Sequence, residues 1–140
     1  MSEEPTAPEL VERQRQAVEA GGRRDWDRAM TFYAPDAVWD ASPTGIDSFD
    51  GAAAIRSFFE DWAGAYEEYG HEIAESRDLG NGVVFTVLDI DGRLAGSTSP
   101  VQESWSWTAT WAEGICERVV VRSDIDEARA AAERLAKERE

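Results

Sequence analysis

The chain of 140 residues carries 29 acidic against 14 basic side chains, a formal charge of −15, with 42% apolar residues and six Trp. That length suits one domain able to bury roughly 70% of its unfolded surface, and so negative a field repels phosphate backbones and anionic head groups, which excludes nucleic acid and membranes as partners. One Cys and one His, Cys116 and His71, make neither a disulfide nor a zinc site, so no metal and no cofactor is expected, and the lack of a basic, apolar leader makes the cytoplasm the default compartment.

Residues 1–8 are polar and Pro-containing and are expected to be flexible. Leu10, Gln14, Ala17 and Val18 then fall at helical spacing until Gly21-Gly22 stops them. Asp25 caps a short second helix whose stripe is Trp26, Ala29, Met30 and Tyr33, and Pro35-Asp36 ends it. Residues 37–40 read as a brief strand, followed by a loop punctuated by Ser42-Pro43-Thr44-Gly45 and Asp50-Gly51. Ile55, Phe58, Phe59, Trp62 and Tyr66 place five large apolar groups on one face of a third helix.

From His71 to Arg122, extended segments are separated by Gly80-Asn81-Gly82, Asp91-Gly92 and Glu113-Gly114, the pattern of an antiparallel meander. Helices followed by strands predict an α+β fold: a curved mixed or antiparallel sheet wrapped on three N-terminal helices, which gather on one face of the sheet. Residues 9–122 form that domain. Residues 123–140 add a C-terminal helix, opened by a capping sequence at Ser123-Asp124-Ile125-Asp126-Glu127, whose thin apolar stripe fits a frayed surface helix, a lid or a dimer arm.

Several local phrases resemble SnoaL-like proteins of the nuclear-transport-factor-2-like superfamily. They are Arg24-Asp25-Trp26-Asp27, the run 33–39 from Tyr33 to Trp39, the run 51–59 from Gly51 to Phe59, and the closing hairpin Glu113-Gly114-Ile115-Cys116-Glu117-Arg118-Val119, together spanning roughly residues 9–132. The resemblance implies a cone-shaped, ketosteroid isomerase-like fold around one apolar pocket. Isomerases, polyketide cyclases, epoxide hydrolases, dehydratases and non-catalytic binding proteins share that fold, so the site has to decide between them.

The resemblance implies a general-base role for Asp40, which follows Val38-Trp39 where ketosteroid isomerases place the carboxylate that shuttles a proton; a turn-capping Asp reads equally from the Ser42-Pro43 that follows. The other two isomerase positions fall near Ala17 and Trp107, which lack the expected tyrosine and acid. Trp107 still offers an indole N–H to a developing oxyanion.

Trp105, Trp107 and Trp111 alternate with Ser and Thr, which directs all three indoles to the helix side of the sheet. With Trp39, Phe59 and Trp62 they make a lining suited to a small hydrophobic or aromatic ligand, unless the rings fill the cone. Glu103 shares the inward parity of the tryptophans, and Asp89 that of Phe85 and Val87, so either is a candidate second carboxylate. His71 titrates near neutrality, and Tyr33 stands near the opening with a hydroxyl to offer.

Two functions fit these residues: a cofactor-independent isomerase or cyclase acting by proton transfer on a hydrophobic or aromatic metabolite, and a non-catalytic ligand-binding or accessory protein. A homodimer built on the outer sheet face, through Ser104, Ser106, Thr108 and Thr110, is the expected assembly.

Overall fold

The structure is a computed structural model and describes residues 7–140, so all but the end of the expected flexible segment 1–8 lies outside the described residues. Helix α1 (Ala7–Gly22) buries Leu10, Gln14, Ala17 and Val18, the stripe its spacing predicts. Asp25 caps α2 (Trp26–Met30) by accepting from the Arg28 amide at 3.3 Å. This helix is a single turn.

Strand β1 (Tyr33–Asp40) begins four residues before the expected strand, so Tyr33 and Pro35 are extended rather than helical. Pairing with the last strand overrides the helical pattern here: the Cys116 amide donates to Phe32 O at 2.8 Å, and Tyr33 lies opposite Cys116. Pro35 cannot donate, and it sits where that ladder is interrupted between Tyr33 and Val38. A 3-10 turn (Ser42–Thr44), closed by Gly45 at φ 89°, leads to the three-residue strand β2 (Ser48–Asp50) and then to α3 (Ala52–Gly64).

Four long strands follow: β3 (Tyr66–Gly80), β4 (Val83–Leu94), β5 (Val101–Ala112) and β6 (Ile115–Arg122). They complete a curved six-stranded sheet in the order β2-β1-β6-β5-β4-β3, in which only β1 and β6 run parallel. The fold is the expected α+β type with a mixed sheet. Tyr66 is the first residue of β3 rather than the end of α3, and it pairs with Leu94.

Helices α1 and α3 pack inside the curl, and the main core joins Leu10, Ile55, Trp39, Ala109 and Trp111. The lone Cys116 is buried there. On β4 the inward residues are Val84, Thr86, Leu88 and Ile90, because Thr86 lies opposite Trp107 and Leu88 opposite Trp105. Phe85, Val87 and Asp89 therefore point outward, which corrects the expected parity by one residue.

Helix α4 (Ile125–Glu138), the expected C-terminal helix, explains the slip. It packs on the convex side, burying Ala128, Ala132 and Ala136, the first two against Phe85 and Val87. With apolar cover on both faces, β4 loses the alternation that would reveal its orientation. The helix is anchored rather than frayed. Asp124 accepts from the Glu127 amide at its start, and Asn81 donates to Ala136 O at 2.7 Å near its end. Arg129 pairs with Glu75 while standing 5.1 Å from the centre of the Phe85 ring.

Candidate functional site

The concave face encloses a cavity of about 80 Å³, partly open to solvent and walled almost wholly by carbon. Its lining draws Ala17 and Gly21 from α1, Trp26 from α2, Tyr33 and Trp39 from β1, and Phe58, Phe59 and Trp62 from α3. Trp105 and Trp107 close it from β5. Strand alternation sends Trp39, Trp105 and Trp107 inward, and the i, i+3, i+4 spacing of α3 brings Phe59 and Trp62 over them.

These rings pack edge to face. Trp39 meets Trp107 at 4.6 Å and Phe59 at 4.8 Å between centroids, both nearly perpendicular, and Trp62 stands over Trp105 at 5.9 Å. An apolar cavity of roughly 150 Å³ admits benzene; the space here is about half that. The indoles thus fill most of the cone without closing it.

The polar feature of the wall is a pair on β3, Tyr69 and His71, two residues apart and so on the same face. His71 Nε2 lies 2.8 Å from Val18 O and Nδ1 lies 3.2 Å from the Tyr69 hydroxyl. A carbonyl only accepts, so Nε2 carries the hydrogen, Nδ1 presents its lone pair, and the Tyr69 O–H donates to it. Burial holds the His71 pKa below its ordinary value, partly offset by the Val18 carbonyl. Burial likewise pushes the Tyr69 phenol up to about 12. The pair is therefore neutral at pH 7.

Gly22 is part of the same arrangement, because a Cβ there would fall 2.7 Å from His71 Nε2. The absence of a side chain at the end of α1 lets the imidazole reach Val18.

Asp40 does not join the cavity. Its neighbours Trp39 and Ala41 point inward, so the carboxylate faces the convex side, where it accepts from Ser42 Oγ at 2.5 Å and Ser42 N at 3.0 Å and pairs with Arg118 at 3.2 Å. Those Ser42 contacts, with the charges of Arg118 and Arg122 adding to them, hold its pKa below the usual carboxylate range. Its geometry is that of a turn cap. The strand residue that does enter the cavity beside Trp39 is Ala41, which brings no carboxylate.

Glu103 has the expected parity but lies exposed beyond the cone, accepting from Trp105 Nε1 at 2.7 Å; Asp89 is exposed on the outer face and accepts from Ser104 Oγ at 2.8 Å. Trp111 is a core residue outside the cavity lining, its indole N–H held by Gln14 Oε1 at 3.2 Å. By contrast, the Tyr33 hydroxyl and the indole N–H groups of Trp39 and Trp107 have no hydrogen-bond partner among the described residues. Burial raises the Tyr33 pKa well above the ordinary value, so this hydroxyl stays protonated.

Of the residues singled out from sequence, the structure brings together Tyr33, Trp39, Phe59, Trp62, His71, Trp105 and Trp107, and it leaves out Asp40, Glu103 and Trp111. Tyr69, Trp26, Phe58 and Ala41 were missed. The signal for Tyr69 was its two-residue offset from His71, which becomes readable once the strand is begun at Tyr66.

Comparison with known proteins agrees with this fold. Several solved structures share the fold: a ketosteroid isomerase-like protein from Catenulispora acidiphila DSM 44928 in complex with trimethylamine (14% identity, TM-score 0.72, covering 91% of this chain and 94% of that one); a protein from Shewanella putrefaciens CN-32 described as a SnoaL-like polyketide cyclase (12%, 0.70, 93% and 99%); and a nuclear-transport-factor-2-like protein of unknown function from Burkholderia pseudomallei K96243 (17%, 0.72, 84% and 92%). No curated protein matches the sequence significantly. The pattern of the SnoaL-like domain matches residues 12–124, most of the chain, and the protein belongs to the SnoaL-like domain family.

Proposed function

We propose that the protein binds a compact, mainly apolar organic molecule in the aromatic cone and orients its one polar group on the Tyr69–His71 pair. The observation that carries this reading is a carbon-walled cavity whose polar wall is one neutral, internally hydrogen-bonded pair. Neither His71 nor Tyr69 needs a counter-ion, so an uncharged ligand leaves no buried charge unpaired. The unpartnered N–H of Trp107 and hydroxyl of Tyr33 add donors for a carbonyl or hydroxyl oxygen. Structural neighbours include a protein with trimethylamine bound, which supports a small occupant for this fold.

A second reading is proton transfer of the isomerase or cyclase kind, favoured by the unprotonated Nδ1 of His71, whose lone pair accepts from the Tyr69 hydroxyl and would have to exchange that bond for one to the ligand. In that reading His71 takes the place expected for Asp40 as the base, and Tyr69 or Trp107 supports the oxygen on which charge develops. Assembly as a homodimer remains part of the proposal, although α4 and its contacts now bury Ser106, Thr108 and Thr110. A second copy would meet α4 and the open part of that face, not bare hydroxyl rows.

The test is titration with acetone and, separately, propan-2-ol, followed by tryptophan fluorescence, in the wild type and in Ala63→Leu, which fills the cavity from its α3 wall, where Ala63 lines it. Saturable quenching in the wild type that weakens at least tenfold in Ala63→Leu is expected. Equal response in both proteins, or no saturation in either, would reject the pocket. If a bound carbonyl compound is also converted, loss of turnover with retained binding in His71→Gln separates catalysis from carriage.

A further inference from the structure

A second concavity lies on the opposite side of the sheet, between α4 and the outward residues of β1, β5 and β6, with a volume of about 630 Å³. That size falls within the range of small-molecule sites. It shares no lining residue with the aromatic cone.

Its chemistry is unusual for this chain. Arg122 reaches it from β6 and Arg134 from α4, and among the described residues neither guanidinium makes a hydrogen bond or a close ion pair. The sequence holds 29 acidic residues against 14 basic ones, so two guanidiniums that no carboxylate holds by a hydrogen bond, facing one groove from two elements, run against the composition, although Arg122 stands near enough to Asp40 to help lower its pKa. Arg118 and Arg139 line it too, but Asp40 holds the first and the Asn81 carbonyl holds the second.

Between these arginines, β5 supplies the floor. Thr108 is only 4% exposed, and its buried hydroxyl has no hydrogen-bond partner. Leaving a buried hydroxyl unpaired costs about 1–3 kcal/mol. A ligand oxygen that accepts from Thr108 while lying between Arg122 and Arg134 satisfies all three groups together, and guanidinium is the side chain best shaped for a carboxylate or phosphate. Carboxylates also line the groove, at Asp36, Glu117 and Glu138. They repel a polyanion and restrict the fit to a small molecule with one oxyanion group.

From this juxtaposition we infer that the convex groove is a second ligand site, taking a small metabolite that carries a single carboxylate or phosphate. It stands independently of the proposed pocket function.

The experiment uses the full chain, labelled with nitrogen-15 and titrated with acetate and, separately, inorganic phosphate at constant ionic strength, with chloride as the control ion. Saturable shifts confined to Thr108, Arg122, Arg134 and their neighbours are expected for at least one of the two, and which one names the source. Arg134→Gln, on an exposed helix position, and Arg122→Gln are each expected to weaken the response at least tenfold, Thr108→Val about fivefold, and Ala63→Leu not at all. An equal response to chloride, or an unchanged response in both arginine variants, would overturn the inference. So would a dimer by sedimentation whose dissociation requires Arg134→Glu, with no anion response, since a second copy would then occupy the groove.

Discussion

At the scale of single residues, the state of His71 follows from one carbonyl. Val18 O fixes the hydrogen on Nε2, the removal of a side chain at Gly22 allows the approach, and burial disfavours the imidazolium. The consequence for pH has a definite sign. The unfolded chain takes up a proton near pH 6.5 that the folded protein refuses, so stability falls as pH drops from about 6.5 toward the lower folded value. Above that window both states are neutral and this dependence vanishes. Chemical denaturation of wild type and His71→Gln between pH 8 and 5 should show a wild-type loss on the acid side that the variant lacks. Asp40 acts in a separate window. Its folded pKa lies below the ordinary aspartate value of 3.8, so its contribution is complete above that pH and disappears only in stronger acid. Parallel curves for wild type and His71→Gln would show that the imidazole is not held neutral.

At the scale of elements, what sequence could reveal depended on how many faces of each element are covered. The stripe of α3 was legible because one side of it packs and the other does not, and the indole alternation of β5 because its outer positions, although mostly buried, are Ser and Thr. On β4 the run Val83-Val84-Phe85 continues apolar on both sides because α4 lies behind it, so nothing in the pattern told Phe85 from Val84. Strand β2 has only three residues and exists by pairing with β1, a long-range event that local propensity does not encode. Tyr69 was missed and Asp40 misjudged for a related reason: each depended on where a strand begins or on which face its end presents. For α4 the relevant signal was small rather than large residues. Ala128, Ala132 and Ala136 let the helix approach the sheet closely, and a stripe of alanines reads weakly as apolar. Enlarging the middle one, Ala132→Leu, should therefore destabilise by about 1–3 kcal/mol through overpacking, despite its greater hydrophobicity. Urea denaturation measures this, and a neutral or stabilised variant would mean that α4 stands off from the sheet.

Across the whole molecule, a single sheet separates two environments. Its inner face turns six-membered and indole rings toward a small apolar space, whereas its outer face carries charge and a capped helix. Fold type and most of the inner lining could be read from composition and period, because burial of large rings requires one consistent inside. The outer groove could not, since it is defined by where α4 lands. Among the described residues, no helix is long and apolar enough to cross a membrane.

The lone thiol gives this architecture an internal clock. Cys116 is only 1% exposed, donates weakly to Arg118 O, and is pushed by burial up to about 12, so in the intact protein it is both shielded and protonated. Reaction needs a thiolate in contact with solvent. Since the β1–β6 junction must part before that occurs, the modification rate by a thiol reagent should report how often the sheet opens there, and should rise with denaturant in step with global unfolding. Rapid labelling of the native protein, indifferent to denaturant, would mean that this junction breathes separately from the rest.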